Sequence, residues 1–397
     1  MKRASSAMRL RRARGCRVGL EALEPRLALS LGAELQVNSV IGTDQLESDN
    51  ASSANGRSVV VWTDKVSTAT TAIRAQRYLN GVADGPEITV DVSNKPEGHP
   101  AVTMDALGDF VVTWARTQSP GDSDVLALRF NVAGTALGSV LAVAGGASAD
   151  QFDPDVAMSS QGNFVVSYTS DETLELPNGH VVTLESVEAQ RFFSNGTPNG
   201  SQLNIDLNAS RSSVASAPDG RFAVAYERAV SGTNTDVKLA RFSAAGVSLG
   251  TLTIAGNTAL REGAPSVAMD NFANAVVAYH QRPNTNFNFD VMARQVSNGG
   301  GLGSILNVAN GGIQERNPSV ALHPTNGKFV VAYETLGVSQ GVSVTEMSAA
   351  GAVLATQSVG SARSDPAISI DGNGNYLVSY TFGATPPRGI RARRGLL

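Results

Sequence analysis

Gly32-Ala33-Glu34-Leu35-Gln36-Val37-Asn38 matches Gly85-Pro86-Glu87-Ile88-Thr89-Val90-Asp91 position for position, with apolar residues third and fifth after each glycine. The second heptapeptide ends a unit that recurs along the chain. The first stands alone ahead of every unit, while the last unit runs out at Leu397 without a copy of it. A strand moved in this way from the last unit to the front is how a chain closes into a ring. Without it the final sheet would keep an unpaired edge, open to association with other chains.

The unit is marked by an apolar run ending in an aromatic. It recurs seven times, at Trp62, Trp114, Tyr168, Tyr226, Tyr279, Tyr333 and Tyr380, with spacings of 52, 54, 58, 53, 54 and 47 residues. A period near fifty signals a repeat architecture. Four segments, A to D, can be laid over one another. Segment B reads Phe110-Val111-Val112-Thr113-Trp114 in the second unit and is apolar or small almost throughout. A strand of that composition is covered on both faces, because one wet face would produce alternation. Six residues before each aromatic stands glycine (Gly56, Gly108, Gly162, Gly220, Gly327, Gly374), replaced once by Ala273. Glycine there fits a tight A-to-B turn with positive φ.

Segment A alternates, as in Val102/Met104 and Val267/Met269, and usually follows a proline: Pro100, Pro154, Pro265, Pro318 or Pro366. Period two predicts a strand, with the proline at its first residue. The first unit is the weak one, since Asn50 and Ser52 fall where the others are apolar. Segment C carries arginine in fifth place at Arg77, Arg129, Arg191, Arg241 and Arg394. These are expected to bond carbonyls or carboxylates between sheets along their packed stems. A C-to-D turn follows with glycines four apart, as in Gly134/Gly138 and Gly299/Gly303, and then segment D. Four short strands per unit make the blade of a β-propeller. The expectation is an all-β, seven-bladed propeller of four-stranded antiparallel blades, spanning 31–397, with the N-terminal strand completing the last blade. An open solenoid or a string of sandwiches would not need split ends.

Residues 1–30 read differently. Eight basic residues against Glu21 and Glu24 give the first 26 a net charge of +6, leaving −10 for the rest. An acidic body behind a basic tail argues against nucleic acid as partner. The longest uncharged run, Leu27 to Ala33, is too short to span a membrane. The leader resembles the N-terminal tag of many planctomycete surface and extracellular proteins, an arginine-rich start followed by Leu-Glu-Pro-Arg, here Leu23-Glu24-Pro25-Arg26. The repeats resemble those of large secreted bacterial proteins in Arg74-Ala75-Gln76-Arg77-Tyr78 and Glu188-Ala189-Gln190-Arg191-Phe192. Both resemblances imply an extracellular or cell-surface location and neither implies a settled activity. The sole cysteine, Cys16, lies in the leader, so no disulfide is expected in the ring.

Functional residues are sparse in the sequence. The B-to-C and D-to-A connections vary in length and composition and share one face, where binding belongs on a fixed scaffold. That face is expected to be acidic, from Asp122, Asp124, Asp171, Glu172, Glu175, Asp236 and Asp290. His99, His180, His280 and His323 fall in four units without metal-ligand spacing. Asp371-Gly372-Asn373-Gly374-Asn375 has oxygen donors at alternate places but sits where every unit makes its A-to-B turn. The sialidase aspartate box is not matched, since Asp105 and Gly108 are three apart. Phe152, Phe287, Phe289 and Phe382 are the aromatics available for stacking on a sugar ring. No catalytic, cofactor-binding or metal residue is assigned and no cofactor is expected. The chain is expected to act as a monomer: an exported, non-catalytic module binding protein or polysaccharide at the cell surface. A polysaccharide hydrolase or lyase, and a structural envelope component, are the alternatives.

Overall fold

The structure is a computed structural model that describes residues 31–146, 149–175, 179–232, 234–283, 288–337 and 340–397. The leader, and Phe287 with it, lie outside the described residues. Seven antiparallel sheets follow one another around a ring. Strands A to D are Asp44–Ser52, Arg57–Lys65, Thr71–Leu79 and Ile88–Ser93 in blade 1, with a short extra strand, Val82–Ala83, in its C-to-D turn. Blade 2 has Glu97–Met104, Phe110–Ser119, Asp122–Phe130 and Leu141–Ala144; blade 3 has Ala149–Met158, Phe164–Glu175, Val181–Phe192 and Leu203–Leu207. Blade 4 has Ala209–Ser216, Phe222–Ser231, Asn234–Phe242 and Ser248–Ala255; blade 5 has Leu260–Met269, Ala275–Pro283, Asp290–Val296 and Leu302–Ala309. Blade 6 has Gln314–Leu322, Phe329–Leu336, Gln340–Met347 and Val353–Ser361. Blade 7 takes Arg363–Ile370, Asn375–Phe382 and Gly389–Leu396 from the C-terminus and Leu35–Gln36 from the front. Leu35 pairs with Ala392 and Gln36 with Arg391, flanked by Gly32 N–H to Arg394 O at 2.7 Å and Val37 N–H to Ile390 O at 3.0 Å. The ring closes as the split repeat predicts.

Strand B is dry on both faces because its two faces serve two neighbours. Val59 and Val61 pack toward Val112 and Trp114 of blade 2, while Val60 and Trp62 pack toward Leu377 and Ile390 of blade 7. The core is thus a set of seams between blades. The first residue of B stacks on the last of C in blades 2, 3 and 4, with Phe110–Phe130, Phe164–Phe192 and Phe222–Phe242 centroids 4.8–4.9 Å apart. The weak first unit finds its reason at the joint between chain ends. Buried Asn50 donates to Ala367 O at 2.9 Å and to Ser379 Oγ at 2.9 Å, and Ser52 meets Ser369 at 2.7 Å, so this seam is hydrogen-bonded at the Asn50 position, where the other blades carry valine or isoleucine.

The six A-to-B glycines all have positive φ, and Ala273 is held at φ 61° in their place. Asp371 Oδ1 accepts Asn373 N–H and Asn375 N–H at 2.8 and 2.9 Å, and Oδ2 accepts the Asn375 amide at 2.8 Å, so that segment is a turn with its carboxylate fully used.

The C-strand arginines and the C-to-D glycines form one device. Arg77 donates to Val132 O at 2.7 Å, Arg191 to Ala244 O at 3.1 Å and Arg241 to Asn298 O at 3.0 Å, each in the turn of the next blade. A Cβ added at Gly81, Gly134, Gly196, Gly246 or Gly300 would stand 2.5–2.9 Å from the guanidinium of the preceding blade. Blade 5 corrects the expected glycine: Gly300, at φ 89°, holds the place assigned to Gly299, because its turn runs from Ser297 to Gly301.

Candidate functional site

Each A strand slips register against B near its start, and in every blade the slip leaves one residue in the left-handed region. They are Glu47, His99, Asp153, Arg211, Ala264, Asn317 and Asp365, at φ 45–55°. Non-glycine residues there cost about 1–3 kcal/mol each and persist only where the surroundings impose them. The prolines follow directly at Pro100, Pro154, Pro265, Pro318 and Pro366. The strand starts several residues earlier than the sequence reading placed it, and the proline occupies a bulge rather than a first position, because an unpaired bulge residue has no ladder bond to lose. Together the seven residues ring the mouth of the central channel, a cavity of about 490 Å³.

The surroundings that impose this conformation come from the neighbouring blade. The residue directly after the repeated aromatic accepts the N–H of the next blade's left-handed residue: Thr169 from Arg211 at 3.1 Å, Glu227 from Ala264 at 2.6 Å, His280 Nδ1 from Asn317 at 3.4 Å and Glu334 from Asp365 at 3.0 Å. In blade 1 Glu47 takes the His99 N–H at 2.9 Å while Thr63 donates to it at 3.0 Å. Two residues deeper runs a second belt. Asp49 accepts from Val102 N–H and Asp155 from Val214 N–H, both at 2.8 Å; Ser213, Ser266 and Ser319 accept from Val267, Val320 and Ile368 at 3.1–3.2 Å. The channel-wall acids therefore stitch blades together.

Electrostatics follow from that placement. Burial in the wall, with Asp155 beside it, pushes Asp49 up to about 7, and burial raises Asp155 likewise. Burial and the nearby Arg211, Arg316, Arg261 and Arg282 bring His280 down to about 3, so its Nδ1 stays an acceptor at neutral pH. The unfolded imidazole protonates near 6.5 and the folded one only near 3, so stability contributed here is complete above pH 6.5 and drains away as pH falls toward 3. His280→Gln keeps an acceptor without the titration. Denaturant unfolding at pH 7, 5.5 and 4 should show the variant losing less stability on acidification than the wild type.

What remains open at the mouth is mixed in charge. His99 Nδ1 stands 3.2 Å from Asp153 Oδ1, with Asp365, Asn317 and Arg211 around the same ring. Ser48 and Ser212 also line it, but their hydroxyls donate into the wall, to Ser379 at 3.1 Å and Ser167 at 2.9 Å. The His–Asp pair has no hydroxyl aligned to serve as its nucleophile among these contacts.

The sequence-derived candidates fare unevenly. The B-to-C segments are largely hairpin strand; Thr169 to Glu175 pairs with Val187 to Val181. The acids on them are partly engaged: Asp124 accepts the Gln118 amide at 2.6 Å and Asp236 pairs with Lys238 at 3.0 Å. Phe289 packs edge-on against His280 and under Arg282, and Phe382 lies between Arg363 and Arg391, so both are structural plugs. Phe152 pairs with Thr169 within blade 3. Among the described residues no group of three or more histidine, cysteine, aspartate or glutamate side chains could hold a metal ion, and no helix is long and apolar enough to cross a membrane. The channel ring was missed. Its sequence signal is the residue before each proline, together with the residue after each aromatic.

This architecture is that of a seven-bladed β-propeller. No family model and no curated relative matches the chain. Among solved structures it is similar to a protein of unknown function from Dyadobacter fermentans, with TM-score 0.57, 12% identity, and coverage of 93% of this chain and 99% of that one. It is also similar to the β-propeller domain of the Trilobed protease from Pyrococcus furiosus (TM-score 0.51, 8% identity, 90% and 98%) and to the Penicillium chrysogenum α-L-arabinanase complexed with arabinobiose (TM-score 0.52, 12% identity, 91% and 98%). Identities this low establish the shared fold and nothing about activity.

Proposed function

We propose that the chain is an exported, non-catalytic binding module, with residues 1–30 as export leader and 31–397 as a single propeller domain acting at the cell surface. One observation carries this reading: five of the carboxylates converging on the channel are spent on backbone N–H groups of neighbouring blades, and only Asp153, beside His99, and Asp365 stay open at the mouth, on blades 3 and 7. The five are Glu47, Glu227, Glu334, Asp49 and Asp155. An acid–base pair for glycoside cleavage needs two carboxyl groups free to exchange protons with substrate from opposite sides. The mouth instead offers a shallow ring of exposed His99, Arg211, Asn317 and Asp365, suited to a polar cell-surface polysaccharide or protein.

Arg211→Ala combined with Asp153→Asn alters that ring and keeps the backbone N–H bonds that close the seams, removing only the Arg211 bond to Glu227 at 3.2 Å and the His99–Asp153 ion pair at 3.2 Å. The double variant is expected to lose about tenfold in retention on an insoluble polysaccharide that holds the wild type, the loss of one or two charged contacts, with its melting temperature within a few degrees. Undiminished retention would remove the channel mouth from the binding surface.

A further inference from the structure

The fifth residue of strand C is a donor in every blade but one. Arg77, Arg129, Arg191 and Arg241 reach carbonyls at Val132, Ser194, Ala244 and Asn298, and Gln295 reaches Ala349 O at 3.0 Å, each in the C-to-D turn of the next blade. Arg394 fills the same place in blade 7 and lies against Gly81. Blade 6 has Glu346 instead. Its neighbour, blade 7, has no C-to-D turn, because its D strand arrives from the front of the chain. No turn carbonyl is there to be met, and the seam offers a nitrogen in its place.

That nitrogen belongs to Leu31. Its N–H donates to Gln357 Oε1 at 2.9 Å, Gln357 Nε2 donates to Glu346 Oε1 at 3.5 Å, and the Tyr376 hydroxyl donates to the same oxygen at 2.8 Å. One amide side chain thus separates the Leu31 nitrogen from the carboxylate. The Leu31 side chain packs against the cluster of Tyr376, Val330 and Val344, and Gly32 N–H donates to Arg394 O at 2.7 Å, so the nitrogen is fixed in position. Glu346 is 1% exposed, burial raises its carboxyl above the ordinary range, and its Oε2 has no partner. The buried acids Glu262 and Glu315 differ, since each accepts a backbone N–H of its own loop, whereas Glu346 is met by side chains alone.

A peptide N–H is a single donor, already taken by Gln357. An α-ammonium group at the same nitrogen carries three donors and a full positive charge, and charge-assisted bonds are about twice as strong as neutral ones. The sequence just ahead has the form a leader peptidase reads: Ala28-Leu29-Ser30 places small residues three and one before Leu31. We infer that residues 1–30 are removed by hydrolysis of the Ser30–Leu31 peptide bond, and that the α-ammonium group so formed is seated on Gln357 with Glu346 as its counter-charge. Water adds across the bond, leaving the carboxylate on Ser30 and the protonated amine on Leu31. The inference rests on the export reading above and adds its cut site. Processing then tightens the closed ring by turning a neutral contact into a charged one.

Four chains test the seat: the full-length chain and a chain beginning at Leu31, released from a fusion by a protease that leaves no residue behind, each with and without Glu346→Gln. The Leu31 chain should melt about 3 °C above the full-length chain, as one charge-assisted contact warrants, and Glu346→Gln should close most of that gap. At pH 7 the Leu31 amine should react with an acylating reagent about tenfold more slowly than the Met1 amine of the full-length chain, the loss of free base that one unit of raised basicity gives. Equal melting of the two wild-type chains, a gap that Glu346→Gln leaves intact, or a freely reacting Leu31 amine overturns the seat. If Glu346→Gln does not fold, the wild-type pair and the acylation rate decide. Protein recovered outside the producing cell should begin Leu31-Gly32-Ala33 on N-terminal sequencing, and Ser30→Arg should keep the leader attached; any other first residue overturns the cut. Absence of the protein outside the cell would strike the export reading and the cut with it, while melting and acylation still decide the seat.

Discussion

A chain truncated before Ser39 is expected to lose about 5 kcal/mol of stability and to self-associate. The deleted segment removes the Leu35–Gln36 pairing with blade 7, the fully packed Val37, and Glu34, which holds Arg363 at 3.1 Å and the Tyr380 hydroxyl at 2.9 Å. Burial of one valine contributes about 1.5–3 kcal/mol. Unpartnered Arg363 and Tyr380 add about 1–3 kcal/mol more, with the ladder bonds on top. The strand Gly389–Leu396 then becomes an open edge, and open edges associate. Denaturant midpoints and gel filtration of the two forms check this. Equal midpoints and a monomeric truncated chain would mean that the front strand is dispensable.

Gly246→Ala is expected to destabilise by about 2–4 kcal/mol, an unusual penalty for a surface turn. Two costs coincide at this position. The φ of 78° strains any side chain by about 1–2 kcal/mol. The new Cβ would also stand 2.6–2.9 Å from Nε, Cζ and Nη2 of Arg191 and force the guanidinium off Ala244 O. The control is Gly250→Ala in the same turn, at φ 96° but with nothing within 4 Å, which should show the conformational cost alone. Equal losses in the two variants would separate the arginine from the glycine and undo the pairing found at the five seams where an arginine meets a turn glycine.

Most of the fold could be read from the sequence because each repeat states the same local requirement several times. Trp62 to Tyr380 mark strand B seven times over, and the split of Leu35–Val37 from Gly389–Leu396 marks closure. What could not be read is what depends on two blades at once. Arg191 and Gly246 are 55 residues apart and each looked like a separate repeat signal, until the structure showed one filling the space the other leaves. The prolines were placed at strand starts because a bulge has no signature of its own until its partner strand is known. The acids of the B-to-C segments looked like a loop surface because Asp171 and Glu172 give no sign of a hairpin that continues to Glu175. The channel ring was hidden for a similar reason. Glu47, His99, Asp153, Arg211, Ala264, Asn317 and Asp365 share no residue type, only a backbone conformation and a place.

The central claim is that this propeller binds without turning over its ligand, and one incubation tests it most directly. The purified protein is mixed with a panel of insoluble cell-surface polysaccharides, and the pellet is assayed for retained protein while the supernatant is assayed for new reducing ends and unsaturated products. Retention on at least one polysaccharide with no product over many hours is the predicted result. Steady product release would contradict it and would make Asp153, Asp365 and His99 the first residues to examine as an acid–base set.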